Sequence, residues 1–277
     1  MQSHAIFIIG PARSGTKLFR DTLATHADIA KVPYDINYLW KLHSPDTTHD
    51  ELSTKDANDR IKSYMGRYLS KKRKNKKYIV EKTVSNTLRV GFVDSVIPNS
   101  KFIYLYRDGR DSVESVIRQW GKFPELRYLL GKLLGTPLHL VLPYLLQYGR
   151  NLLAHKTSKS VSDQYVWGVK FRDYKKALKT QSTNEFCCTQ WNECVDAMLE
   201  QQYLLGNRCH IVHYEDFIQN TEKVLNEVAL FLDVPSDFTI PTIHIDKVGF
   251  SKSNVDHNLY KLLSNNLKEN LAKLGYQ

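Results

Sequence analysis

Short apolar runs recur along the chain, and three of them are followed directly by glycine or by charged residues. Such runs are typical of strands that are buried on both faces of a parallel sheet. The strands that they predict are Ala5–Ile9, residues 29–32, residues 78–80, Lys101–Tyr106 and Cys209–His213. Because segments of helical spacing separate these strands, the pattern predicts an α/β fold with right-handed crossovers.

Apolar residues at helical spacing mark the segments between the strands. The predicted helices cover residues 16–25, 50–70, 86–96, 111–119 and Thr221–Leu232. The stretch 123–163 is rich in leucine and divided by prolines, which predicts a helical insertion. The length of 277 residues suits one large α/β domain, so we expect a single domain over residues 1–277.

The formal net charge of +10 favours an anionic partner. Six of the positive charges lie in residues 71–77, without which the net charge would be +4. This basic run is either solvated surface or a docking patch for an acidic acceptor or anionic lipid. Aromatic and basic residues are not interleaved in a motif that binds nucleic acid, so no nucleic acid partner is expected.

The cysteines and the first residues of the chain indicate the cellular compartment in which we expect the protein. None of the four cysteines forms a C-x-x-C pair, which favours reduced thiols over a disulfide framework or a zinc site. The apolar run Ala5–Ile9 is too short for a signal peptide, and no run is long enough for a transmembrane segment. We therefore expect a cytoplasmic protein without a metal, for which peripheral membrane contact stays open.

A glycine loop at residues 10–17, GPARSGTK, joins the first strand to the first helix. The free N–H groups at the start of such a helix bind phosphate. Gly10 and Gly15 have the spacing of a Walker A loop, but Thr16 stands where nucleotide-triphosphate enzymes have lysine, and Arg13 lies inside the loop. The loop predicts a phosphate site without the usual lysine and magnesium geometry; the alternative is a turn that needs glycine for backbone reasons.

Two further polar segments begin where predicted strands end. Arg107 opens the segment RDGRDxxxS, which ends at Ser115, and Lys82 lies in the segment EKT. Arginine makes bidentate contacts with phosphate, although the first segment could equally form an ion-pair cluster that caps a helix. Since ligands of parallel sheets bind beyond the carboxyl ends of the strands, we expect these segments and the glycine loop to share one site.

The loop PxRSGT and the segment RDGRDxxxS resemble the nucleotide motifs of the sulfotransferase family that uses PAPS (3′-phosphoadenosine 5′-phosphosulfate). The loop resembles the version seen in tyrosylprotein and bacterial members. The resemblance runs from Ile6 to Tyr276, apart from residues 41–77 and 123–163. It implies a three-layer fold like that of P-loop NTPases, PAPS as donor, PAP (3′,5′-adenosine bisphosphate) as product and no metal.

The resemblance also implies roles for individual residues. Arg13 and Lys82 would neutralise charge as the sulfuryl group departs, and Asp35 matches the position of the family's acidic base. His43 is the alternative base, because an imidazole suits proton transfer near neutral pH. The residues that would contact the nucleotide are Arg13, Ser14, Gly15, Thr16, Lys17, Arg107, Ser115 and Tyr214. At the Lys17 position the family often has a second threonine.

The reaction that follows is in-line transfer of a sulfuryl group to an acceptor hydroxyl, governed by positioning and electrostatics. We expect the acceptor to be a carbohydrate or glycolipid, such as a polysaccharide or lipid-linked sugar, with peptidyl tyrosine or a small alcohol also open. One alternative is a small-molecule kinase, which would need a magnesium-binding aspartate such as Asp108. The other is a non-catalytic binder of an anionic polymer, which the basic run 71–77 favours.

Overall fold

The computed structural model describes residues 4–42, 44, 48–120, 166–240, 242 and 245–276. The predicted helical insertion at 123–163 and the alternative base His43 lie outside the described residues.

A sheet of five parallel strands forms the centre of the fold. The strands are β1 (Ala5–Ile9), β2 (Ile29–Lys31), β3 (Tyr78–Glu81), β4 (Lys101–Tyr106) and β5 (Cys209–His213), in the spatial order β2-β3-β1-β4-β5. Every residue of β1 is buried, as its continuous apolar run predicts. The predicted parallel α/β sheet flanked by helices is confirmed.

Eleven α-helices are present in the described part of the chain. They are α1 (Thr16–Leu23), α2 (Asn37–Trp40), α3 (Asp59–Arg73), α4 (Val90–Val96), α5 (Gly109–Ile117), α6 (Tyr174–Thr180), α7 (Thr183–Gln202), α8 (Tyr214–Gln219), α9 (Thr221–Leu232), α10 (Phe250–Asn254) and α11 (His257–Lys273). Short 3₁₀ helices lie at Thr54–Asp56, Val84–Leu88, Gly206–Arg208 and Ile245–Lys247.

Alternate residues of the strands point into two separate cores, one on each face of the sheet. On one face Phe7 packs edge-on against Trp40 of α2, in a core completed by α3 and α4. On the other face Ile6 and Ile8 pack with α1, α8 and α9, where the rings of Phe19 and Phe217 lie 4.9 Å apart. Each such aromatic ring contributes about 2–3 kcal/mol through burial of its apolar surface, so the layers are fixed mainly by these cores.

Two of the predicted helices differ from the observed ones. Residues 50–58 are not α-helical, because Asp50 turns inward to other segments and Asn58 caps α3, whose helix begins only at Asp59. The predicted helix 86–96 is divided at Arg89, whose backbone has a φ of −148° and leaves the helical conformation. Residues 84–88 form a 3₁₀ helix before it, and α4 begins after it.

The order of the strands reverses at β1. The chain leaves β1 for β2 and β3 on one side and then crosses to β4 on the other side. Helices therefore diverge from the carboxyl ends of β1 and β4, which leaves a crevice of the kind in which α/β sheets bind ligands. The glycine loop and the segment 107–115 begin at these two strand ends.

Candidate functional site

The glycine loop after β1 is held in an unusual backbone conformation. Arg13 and Gly15 have φ angles of 66° and 90°, in the left-handed region that residues other than glycine seldom adopt. The hydroxyl of Ser14 donates to the Pro11 carbonyl at 2.8 Å and so closes the loop on itself. A Cβ atom at Gly15 would lie 2.4 Å from the ring of Tyr214, so only glycine fits there. A strained, closed loop before a helix is a common phosphate-binding arrangement.

Arg13 joins the glycine loop to the segment after β4. Its Nε donates to the Ser115 hydroxyl at 2.9 Å, and Arg107 donates to its carbonyl oxygen at 2.9 Å. Desolvation of the guanidinium lowers the pKa of Arg13, and the positive charges of Arg107 and Arg118 lower it further. Three guanidinium groups so close together favour the binding of an anion, which would relieve their mutual repulsion.

The segment after β4 is fixed by three carboxylates. Asp108 accepts from the Arg110 backbone N–H at 2.8 Å and caps α5. Its carboxylate also forms an ion pair with the Arg110 side chain, so for these two residues the alternative of an ion-pair cluster that caps a helix is correct. Glu215 accepts from the backbone N–H of Asp108 at 3.0 Å. Asp111 accepts from the backbone of Gly249 and Ser251, both at 2.8 Å, and so brings the start of α10 over this segment.

Tyr214 lies between the glycine loop and Arg107. It is buried at the start of α8, and the Arg107 guanidinium carbon lies 4.5 Å from the centre of its ring. The stacking orients the guanidinium, because a cation is attracted to the face of an aromatic ring. The resemblance implies that Tyr214 contacts the nucleotide, and Tyr214 lies beside Arg107, which it implies to be another nucleotide contact.

Lys82 and Asp35 form an ion pair beside the glycine loop. The Lys82 ammonium lies 3.1 Å and 3.3 Å from the two oxygens of the Asp35 carboxylate, whose side chain is 30% exposed. Thr87, five residues beyond Lys82, connects this region to the loop, since its hydroxyl donates to the Gly10 carbonyl at 3.0 Å. The cation predicted to stabilise the sulfuryl group and the carboxylate predicted to act as base are therefore in contact with each other.

Glu81, the last residue of β3, is a fully buried carboxylate next to this pair. Thr83 donates to one of its oxygens and Asn86 to the other, the latter at 3.0 Å. Desolvation raises the pKa of Glu81 to about 7, the hydrogen bond from Thr83 opposes this shift, and the charge of Asp35 adds to it. Folding therefore makes this carboxyl group harder to ionise.

The raised pKa of Glu81 predicts a pH dependence of stability. Between pH 4.5 and about 7 the folded protein keeps a proton on Glu81 that the unfolded chain has lost. The contribution of Glu81 is therefore complete below pH 4.5 and falls as the pH rises to about 7, by about 1.4 kcal/mol per pH unit. Urea unfolding of the wild type and Glu81→Gln across this range measures the difference; two parallel curves would contradict the prediction.

The other predicted nucleotide contacts lie on the same loop with different exposure. Thr16 is buried at the start of α1, and Lys17 is exposed on its first turn. The hydroxyl of Ser14 is directed to Pro11 in this conformation, so it shapes the loop. Direct contacts of these side chains with a nucleotide stay predictions.

Arg118 adds a positive charge to this site that the sequence motifs did not identify. It lies three residues after Ser115, directly after the last residue of α5, forms an ion pair of 2.6 Å with Glu114, and has its guanidinium carbon 4.7 Å from the centre of the Phe250 ring. Residues three apart share one face of a helix, so this spacing was the signal that could have identified it.

The cysteines Cys187, Cys188, Cys194 and Cys209 are free thiols. None of the helices described is long and apolar enough to cross a membrane, and no group of three or more metal-binding side chains is found among the described residues.

The chain is similar in sequence to a known protein family and to individual proteins. The Sulfotransferase domain family matches the chain over residues 3–274. A protein-tyrosine sulfotransferase of Drosophila melanogaster is 25% identical over 244 residues, which are 83% of this chain and 38% of that protein. Protein-tyrosine sulfotransferase 1 of Danio rerio is 22% identical over 241 residues, which are 83% of this chain and 53% of that protein. The chain thus spans about half the length of these relatives or less.

Solved structures share the fold. The sulfotransferase domain from the Synechococcus PCC 7002 olefin synthase superposes with a TM-score of 0.57 at 13% identity, covering 100% of this chain and 96% of that chain. The sulfotransferase domain from the curacin biosynthetic pathway superposes with a TM-score of 0.53 at 16% identity, covering 100% and 99%. These likenesses confirm the fold predicted from the nucleotide motifs.

Proposed function

The chain belongs to the sulfotransferase domain family, and on that premise we propose that it transfers the sulfuryl group of PAPS to an acceptor hydroxyl. The observation that carries the proposal is the junction of Arg13, Ser115 and Arg107 at the crevice between β1 and β4. It unites the loop that would hold the 5′-phosphosulfate with the segment that would hold the 3′-phosphate. A kinase would instead need the Asp108 carboxylate for magnesium, whereas that carboxylate caps α5 and pairs with Arg110.

On the donor side, the residues of the junction would bind the two charged ends of PAPS. The loop N–H groups and Thr16 would receive the 5′-phosphosulfate, and Arg107 with the Ser115 hydroxyl would receive the 3′-phosphate. Ser115 accepts its present hydrogen bond from Arg13, so its own proton is free to be donated to a phosphate oxygen. Arg13 would then face the negative charge that develops on the 5′-phosphate.

On the acceptor side, Asp35 and Lys82 would carry out the transfer. The acceptor oxygen forms a bond to sulfur while the bond from sulfur to the 5′-phosphate oxygen breaks, and the acceptor proton passes to Asp35. PAP leaves with the electron pair of the broken bond. Lys82 would stabilise the charge on the transferring group and Arg13 the charge on the leaving phosphate, each by about 2–4 kcal/mol if the contact forms mainly in the transition state.

The class of acceptor belongs to the proposal. The net charge of +10 supports an anionic acceptor, as does the basic run at 71–77. Within the carbohydrate or glycolipid class predicted from the sequence, an acidic polysaccharide or an anionic glycolipid would meet this requirement. So would an acidic peptide that contains tyrosine, which the names of the two relatives support. The predicted cytoplasmic location and peripheral membrane contact likewise stay proposals.

Transfer of radioactive label from [³⁵S]PAPS tests the proposal. The acceptors are an acidic tyrosine peptide, the same peptide with phenylalanine, an anionic oligosaccharide and a glycolipid in vesicles. Label on the tyrosine peptide but not on its phenylalanine control would identify a phenolic acceptor, and label on a sugar would identify the carbohydrate class. If none of the acceptors becomes labelled and PAPS stays unchanged, the proposed activity is contradicted.

A further inference from the structure

The segment that carries Asp35 has no regular structure of its own and is held by residues that follow β3. Besides the ion pair with Lys82, an Asp35 oxygen lies 3.5 Å from the backbone nitrogen of Val84. The backbone N–H of Ile36 donates to the Thr83 hydroxyl at 2.9 Å. The position of Asp35 thus depends on the turn at residues 82–84.

A ring of hydrogen bonds, closed through the backbone between Ile36 and Asn37, supports residues 82–84. Thr83, which accepts from Ile36, donates its own proton to Glu81, and the other Glu81 oxygen accepts from Asn86. The Asn86 carbonyl oxygen accepts from Arg89 at 2.9 Å. The ring closes because Arg89 donates to the side chain of Asn37 at 2.6 Å, one residue after Ile36.

Four members of the ring are buried, whereas Asn37 is half-buried. Glu81 and Thr83 are each 1% exposed, and Asn86 and Arg89 are completely buried. A buried polar network costs desolvation that an apolar core of the same volume would avoid, and what it adds is one defined geometry. Here the defined geometry is that of residues 36 and 37, immediately beside Asp35.

We propose that Thr83 and Glu81 are positioning residues, which hold the carboxylate of Asp35 against Lys82 in the orientation that receives the acceptor proton. The inference rests on the proposed function, because it assigns the ring a task in that reaction. Thr83 does the linking: its oxygen accepts from the backbone of Ile36 while its proton is donated to the buried carboxylate. Loss of this hydroxyl would release Ile36 without touching the nucleotide loop.

Thr83→Val and Thr83→Ser form a matched pair that tests the inference in the complete chain. Valine has nearly the shape of threonine without the hydroxyl, and serine keeps the hydroxyl without the methyl group. We expect Thr83→Val to speed hydrogen exchange at the Ile36 amide about tenfold, because one hydrogen bond is lost, and Thr83→Ser to leave it near the wild-type rate. Mass spectrometry of a peptide that covers residues 34–40 measures the exchange.

The second measurement is turnover, with whichever acceptor receives label from [³⁵S]PAPS in the experiment above. We expect kcat of Thr83→Val to fall about 10–100-fold through misplacement of the base, with PAP affinity unchanged and Thr83→Ser close to wild type. Unchanged exchange at Ile36 in Thr83→Val overturns the inference, and so does a parallel loss of PAP affinity, which would indicate general damage. If exchange rises as expected but wild-type protein transfers no label, the ring exists and the proposed function is what fails.

Discussion

Replacement of Asp35 by asparagine is expected to lower kcat for sulfuryl transfer about 10²–10⁴-fold. Asparagine keeps the size of the side chain but cannot take a proton from the acceptor hydroxyl. It also removes the charge that Lys82 faces at 3.1 Å. Because Asp35 lies on the acceptor side of the site, PAP affinity should remain within about threefold of wild type, which corresponds to less than 1 kcal/mol.

The matched control for this variant is Asp28→Asn, which changes an exposed carboxylate of the same segment between α1 and α2. Single-turnover transfer from [³⁵S]PAPS and calorimetric titration with PAP separate the chemical step from donor binding. Near-normal turnover of Asp35→Asn would remove it from the role of base. His43 would then be the next candidate, and His43→Gln would be the variant to measure.

Replacement of Lys82 by methionine is the second change with a large expected effect. Methionine has a similar length and no charge, so the loss is electrostatic, and kcat should fall about 10²–10³-fold. The contact between Lys82 and the transferring group would exist for PAPS and the transition state but not for PAP, which lacks the sulfuryl group. PAP affinity should therefore change little.

Lys31→Met is the control for this variant, since Lys31 is exposed at the end of β2 and pairs with Asp21. A second comparison, Lys82→Arg, keeps the positive charge but alters its shape, and we expect partial recovery of kcat because a guanidinium is not an ammonium in position or hydration. If Lys82→Met turned over as fast as Lys82→Arg, the charge at residue 82 would have no part in the chemistry.

The strands could be predicted because short runs of apolar residues mark them in the local sequence. The runs Ala5–Ile9, Lys101–Tyr106 and Cys209–His213 are strands with the predicted bounds. Strands β1 and β4 are buried on both faces and so need apolar residues at successive positions, a pattern that needs no knowledge of partners. Strand β5 lies at the edge of the sheet and is mostly half-buried, so this reason does not extend to it. The glycine loop was predictable for a similar reason, because its backbone conformation requires glycine at Gly15.

The deviations arise where long-range contacts decide the local structure. The side chain of Asp50 accepts hydrogen bonds from Asn37, Ser85 and the backbone of Lys170, partners that no helical period around residue 50 could reveal. Arg89 divides the predicted helix because its side chain reaches across to Asn37. The ring around Glu81 escaped prediction for the same reason, since its members come from separate elements.

Binding of PAP, with AMP and ATP as controls and no added magnesium, tests the central claim most directly. If Arg107 and Ser115 receive the 3′-phosphate, calorimetry should give PAP at least about tenfold tighter binding than AMP, and Ser115→Ala should reduce that preference. ATP, which lacks a 3′-phosphate, should bind no better than AMP. Equal affinities for PAP and AMP, or tight binding of ATP alone, would contradict the assignment of this crevice to a sulfuryl donor.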